Sequence, residues 1–209
     1  MKIAITTRLD KVPSYDETRI SLDVEWFELL SLISNQISVI PINQKVNTSL
    51  YENSDLIIFS GGNNLKSVCD NTLSSLRDEI EKDILSYAIR KKIPTVGVCS
   101  GMQLINEFMG GTLVPISNHI NECHPLEINA GWIPNIPMVN SYHEWGISSE
   151  SLASKLEACA FSDNKSFIEA FSHTTLPIRG VMWHPERLPS FLDDRACYYL
   201  NQMSLFDFQ

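Results

Sequence analysis

Apolar and polar positions follow two distinct rhythms along the first half of the chain. Residues 2–6 (Lys-Ile-Ala-Ile-Thr), 38–42 and 55–59 are short, rich in β-branched residues and largely apolar, which predicts buried strands. Between the first two, residues 20–33 place Leu22, Trp26, Phe27, Leu29, Leu30 and Ile33 at helical spacing. A charged amphipathic stretch over 73–91 predicts a second helix, and Pro94-Thr95-Val96 opens a fourth strand. Residues 104–109 are mostly apolar and are closed by Gly110-Gly111, which predicts a helix directly after that strand. This βαβα order implies an α/β fold, a mostly parallel sheet covered by helices on both faces.

After Gly111 the rhythm breaks. Short apolar pieces interrupted by prolines and by Gly131 and Gly146 predict a small antiparallel addition with loops. Residues 166–171 and 178–183 read as strands again, and 190–203 as a C-terminal helix. No repeat, low-complexity segment or linker divides the chain, so residues 1–209 read as a single domain.

Composition narrows the class. With 44% hydrophobic and 20% charged residues the chain is a globular protein, and a net charge of −9 without a Lys/Arg cluster excludes a nucleic-acid binder. The start lacks a signal-peptide core, and no apolar run approaches the roughly 20 residues that span a bilayer, so no membrane partner is expected. Cys69, Cys99, Cys123, Cys159 and Cys197 are odd in number and widely spaced, as expected for a cytoplasmic protein with reduced thiols. Cys123-His124 is adjacent rather than spaced for tetrahedral zinc, so no metal site is expected.

The candidate chemistry lies in three segments. Gly97-Val98-Cys99-Ser100-Gly101-Met102-Gln103 reads as strand, sharp turn and helix, with a thiol at the apex. A helix N-terminus favours negative charge there, and the thiolate is the nucleophilic form. His184-Pro185-Glu186 follows the last predicted strand. In an extended chain residues i and i+2 face the same side, so Glu186 can orient His184 while His184 exchanges protons with Cys99. Ser60-Gly61-Gly62 ends the third strand. It is either an ordinary turn or, beside a nucleophile, the place where Gly62 N–H joins Ser100 N–H as an oxyanion hole. His143 competes with His184 as base but has Trp145 rather than a carboxylate at i+2, so His184 is preferred. No organic or metal cofactor is called for.

Together with Asn140-Ser141-Tyr142-His143, these segments occur in an order that resembles the class I glutamine amidotransferases and the related γ-glutamyl hydrolases of peptidase family C26. The resemblance spans nearly the whole chain. It implies a flavodoxin-like domain that attacks the side-chain carbonyl of a γ-glutamyl group, forms a thioester on Cys99 and releases glutamate. It further implies that Gly61, Gln103 and the backbone around Ser141, Tyr142 and His143 hold the glutamyl moiety. The alternative for Gln103 is a solvent-facing residue in the first helical turn. One departure is Ser100, where amidotransferase glutaminases often carry a bulky apolar residue.

The leaving group is the open question. The segment 7–19 is long for a βα connection, where about 2–6 residues are usual, and it offers Arg8, Lys11, Tyr15 and Arg19. Guanidinium groups suit phosphate and tyrosine can stack on a base, against the alternative of a solvated loop. With residues 21–26 the segment is similar to that of bacterial hydrolases that act on γ-glutamyl-CDP-amidate in capsule biosynthesis, which implies a nucleotide-linked substrate. The alternatives are a glutaminase subunit that passes ammonia to a synthase partner, a hydrolase of another γ-glutamyl amine such as γ-glutamyl-GABA, and a scaffold without activity.

Overall fold

In the central strands successive side chains enter opposite apolar layers, and the computed structural model shows both layers filled. It describes residues 1–209 except Gln44, Lys45, Pro137, Asp163, Asn164, Ser190, Phe191 and Gln209. In β1 (Lys2–Thr6), Ile3 and Ile5 pack in one layer and Ala4 in the other. β2 (Arg8–Lys11) and β3 (Thr18–Ser21) form a hairpin beyond β1, and α1 (Glu25–Ser31) leads to β4 (Gln36–Ile40). In β5 (Leu56–Phe59), Leu56 and Ile58 face the layer of Ile3, while Ile57 and Phe59 face that of Ala4. α2 (Thr72–Lys91) starts at Asn71, whose side chain accepts from Ser74 N–H, and β6 (Thr95–Val98) runs into α3 (Ser100–Phe108).

Beyond α3 lie β7 (Val114–Pro115), β8 (Ile120–Pro125), β9 (Glu127–Ile128), β10 (Met138–Tyr142) and β11 (Trp145–Gly146). β12 (Leu156–Ser162), β13 (Phe167–His173), β14 (Ile178–Val181) and α4 (Arg195–Gln202) complete the order. One eight-stranded sheet runs β4-β1-β5-β6-β14-β13-β12-β9. From β4 to β14 its neighbours are parallel, and from β14 to β9 antiparallel. Trp26, Leu29 and Leu30 of α1 and Tyr198 and Tyr199 of α4 fill one layer, and Ile84, Leu85 and Ala88 of α2 with Met102 and Ile105 of α3 fill the other.

The helix expected over 20–33 is shorter. Thr18–Ser21 pairs with Arg8–Lys11 instead, because Leu9 is buried and its backbone is bonded on both sides to the Asn63 side chain, at 3.0 and 2.7 Å. The C-terminal helix expected from 190 begins at Arg195, capped by Asp194; positions 190 and 191 lie outside the described residues. The strand Leu156–Ser162 has no counterpart among the elements that the apolar pattern predicts.

Candidate active site

Cys99 stands between β6 and α3 with φ 52° and ψ −111°, a conformation that costs an L-residue roughly 1–3 kcal/mol. The flanking glycines make this turn fit. A Cβ on Gly101 would lie 2.2 Å from the Phe59 carbonyl oxygen, and one on Gly97 2.6 Å from that of Gly101. The Cys99 N–H is bonded to the carbonyl of Val181 at 2.9 Å, so the turn is anchored on the neighbouring strand β14. Ser100 opens α3, where the first N–H groups have no intrahelical acceptor.

Two residues past β14, Trp183 is fully buried and His184 follows at the strand's end. The His184 ring stands beside Cys99, close enough for a negative charge on the thiol to favour the charged imidazole. His184 Nδ1 lies 2.7 Å from Glu186 Oε1. Burial draws the His184 pKa down, but the Glu186 and Cys99 charges, with the Glu186 hydrogen bond, more than offset this and carry it up to about 9. Gly61 is pressed against the pair, since a Cβ there would lie 2.5 Å from His184 Cε1 and 3.3 Å from Cys99 Cβ. The structure therefore brings together Cys99, His184, Glu186 and Gly61. Gly62 follows, beside Arg8 and Arg77.

A buried polar chain holds the Gly61–Gly62 turn from below. Arg77 donates to the Ser60 carbonyl and, at 3.1 Å, to Glu81, which accepts from Thr6 Oγ1 at 2.6 Å. Thr6 Oγ1 in turn accepts the Ser60 N–H at 3.2 Å. Burial raises the Glu81 pKa, and Arg77 opposes that rise.

One helical turn past Cys99, Gln103 is buried rather than solvent-facing, and its amide donates to the Trp145 carbonyl at 2.7 Å. His143 Nδ1 meets the same carbonyl at 3.0 Å, and its Nε2 lies 3.3 Å from His119 Nδ1. Both ring nitrogens of His143 are thus engaged. Burial first, then His119, lowers its pKa to about 3, which makes it a weak proton acceptor beside His184. Ser141 is buried, with its hydroxyl donating to the His119 carbonyl at 2.8 Å, and the Tyr142 ring stands edge-on to His184, 5.7 Å between centroids.

A cavity of about 140 Å³ opens beside the pair, lined among others by Arg8, Ser21, Asp23, Trp26, Gly61 and Arg187. Arg8 is half-exposed at its rim. Arg19 lies on the same face of the hairpin, two pairs along, through the Arg8–Ser21 and Asp10–Arg19 registers. Tyr15 is in the exposed turn, where its hydroxyl accepts from Arg19 at 2.8 Å, away from the cavity lining.

Sequence reasoning gave no role to Asn140, Arg77, Arg187 or Tyr199. Asn140 and Tyr199 grip the backbone of the His-Pro-Glu segment, and Arg187 bonds Asp23 at 3.0 Å while stacking over Tyr142. The only available signal was position, Arg187 directly after Glu186 and Asn140 directly before Ser141.

Residues 27–197 match the family described as glutamine amidotransferase class-I. The chain belongs to the class I glutamine amidotransferase family. This amidotransferase is 34% identical over 190 residues, 90% of each chain, to a γ-glutamyl-CDP-amidate hydrolase of Campylobacter jejuni. Its fold matches a putative GMP synthase component from Thermoplasma acidophilum with a TM-score of 0.72 at 15% identity, over 99% of this chain and 92% of that one. It also matches a glutamine amidotransferase from Thermotoga maritima at 0.62 and 13% identity, over 88% and 76%. The expected fold and family hold. Among the described residues no helix is long and apolar enough to cross a membrane.

Proposed function

We propose that this amidotransferase is a free-standing cysteine hydrolase that cleaves γ-glutamyl-CDP-amidate to glutamate and cytidine diphosphoramidate, working as one cytoplasmic domain. The observation that carries the reading is the cavity lined by Arg8 and Arg187 together with Gly61 and Glu186. A diphosphate leaving group placed there meets guanidinium groups suited to bidentate contact. The 34% identity to the Campylobacter hydrolase supports the same substrate. Five free cysteines fit a reducing compartment.

Cys99 Sγ attacks the γ-carbonyl carbon, and the oxygen gathers charge toward the N–H groups of Gly62 and Ser100. His184, oriented by Glu186, gives its proton to the departing phosphoramidate nitrogen as the C–N bond breaks and the thioester forms. Water then attacks the thioester, His184 takes its proton, and Cys99 leaves as glutamate is released. Gln103 and the segment Ser141–His143 hold the glutamyl end, and Arg8 and Arg19 engage the nucleotide.

The test is glutamate release by the purified chain from γ-glutamyl-CDP-amidate, glutamine and γ-glutamyl-GABA at equal concentration. The expected result is a kcat/KM for the nucleotide substrate at least about 100-fold above the other two, the scale set by about 3 kcal/mol of charge-assisted contacts. Equal or faster release from glutamine, or stimulation by a co-purifying synthase, overturns it.

A further inference from the structure

Two of the protein's five histidines converge on one buried carboxylate, apart from Cys99 and His184, and a third, His143, lies against the first of them. His119 precedes β8, His124 lies in β8, His143 lies between β10 and β11, and Glu169 is in β13. His119 is 2% exposed and Glu169 1%, and donor atoms of His119, His124 and Glu169 lie within 4.8 Å of one another. His119 Nδ1 and His124 Nε2 are 3.9 and 3.8 Å from Glu169 Oε1, beyond hydrogen-bond length, and His143 Nε2 is 3.3 Å from His119 Nδ1.

We propose that His119, His124 and Glu169, with His143 Nε2 as fourth donor, form a zinc-binding site. Zn–N and Zn–O bonds of about 2.0–2.2 Å set the corners of a tetrahedron about 3.3 Å apart. The His119–His143 edge already has that length, and the two edges to Glu169 need to shorten by about 0.5 Å, within reach of small side-chain rotations. The surrounding bonds are those that orient metal ligands. His143 Nδ1 meets the Trp145 carbonyl and His124 Nδ1 the Pro125 carbonyl at 3.2 Å, which leaves Nε2 of each as the lone-pair donor. Ser162 Oγ donates to Glu169 Oε1 at 2.9 Å and fixes the carboxylate. Spacing along the chain gives no sign of zinc when Cys123 is weighed with His124, because the ligands come from three separate segments.

The site lies off the reaction path and its work is structural. It ties β8 and the segment after β10 to β13, and so fixes Ser141, Tyr142 and His143 against the main sheet. The proposal is independent of the substrate reading above.

The experiment uses the Cys99→Ala chain, in which the active-site thiol no longer competes for metal. Chelator-treated protein is titrated with ZnCl2, and bound metal is counted by mass spectrometry after desalting. One zinc per chain is expected, together with a rise in Tm of about 4 °C or more. Adding Glu169→Gln or His124→Gln should weaken binding at least 100-fold, while adding Cys123→Ser leaves it unchanged. Cobalt(II) in the chain with histidines and Glu169 intact should give tetrahedral d–d bands without sulfur charge transfer, a readout that does not depend on the variants folding. No saturable zinc site, a sulfur-ligated cobalt spectrum, or full binding by folded Glu169→Gln protein each overturns the proposal.

Discussion

Asn140 holds His184 by both faces of its peptide: Oδ1 accepts the His184 N–H at 2.8 Å, and Nδ2 donates to the His184 carbonyl at 2.9 Å. The same Nδ2 reaches the Arg187 carbonyl at 2.7 Å, so one side chain clamps the turn that carries both His184 and Glu186. Asn140→Ala leaves these buried groups unpaired and should cost about 2 kcal/mol of stability. The imidazole loses its fixed position, and kcat should fall about 100-fold with KM little changed. Denaturant unfolding and steady-state kinetics on the same preparation measure both, and an unchanged kcat would show that the clamp is not needed for positioning.

Removal of the thiol separates chemistry from backbone strain. Cys99→Ala should reduce turnover by about 10⁴-fold or more while the chain stays folded. Cys99→Gly removes the same thiol but suits φ 52°, so it should unfold at a higher temperature than Cys99→Ala, by about 1 kcal/mol of stability. Calorimetry of the two inactive proteins decides; equal Tm values would mean the turn stores no strain.

The pH profile follows from the buried pair. His184 has an ordinary value of 6.5 and stands at about 9 in the fold, so its protonated form persists through neutral pH. Its contribution to stability is complete below pH 6.5 and is lost as pH rises through about 9. For the same reason kcat/KM should decline above about pH 9, when the leaving nitrogen loses its proton donor. Glu186→Gln deletes an attraction that raises the pKa, so the alkaline limb should move to lower pH and kcat should drop. A limb that stays in place in Glu186→Gln would separate Glu186 from the proton equilibrium.

The hairpin prediction concerns selectivity. Arg8→Ala should raise KM for γ-glutamyl-CDP-amidate about 10-fold while leaving glutamine turnover within twofold, because the lost charge-assisted contact is to the leaving group alone. Arg19→Ala should act in the same direction and more weakly, since Arg19 lies two residue pairs further along the hairpin than Arg8, which packs on Gly62. Parallel loss on both substrates would remove the hairpin from recognition.

Local pattern revealed the parallel half of the sheet, because β1, β5 and β6 are short and mostly apolar, with a glycine turn after β5 and a helix start after β6. It also located Cys99, His184 and Glu186, whose spacing and chain position carry their chemistry. The β2–β3 hairpin was hidden because its only buried anchor, Leu9, is fixed by Asn63 from more than fifty residues away. The strand Leu156–Ser162 was hidden because its bulges against β13 break the two-residue period. Asn140, Arg77 and Tyr199 were hidden for a different reason. Their effect runs through backbone carbonyls and N–H groups, which leave no trace in side-chain type.

The last central strand to be synthesised, β14, lies beside β6 with Gly180 opposite Gly97 and Val181 opposite Val98. The nucleophile's turn hangs from Val181, and its proton carrier is the continuation of the same strand. A nascent or refolding chain can therefore complete every strand from β1 to β6 and still lack a working thiol. Long-range pairings of this kind form slowly. Recovered turnover is consequently a clock for the insertion of β14 into the middle of the sheet, and no earlier folding event will start it.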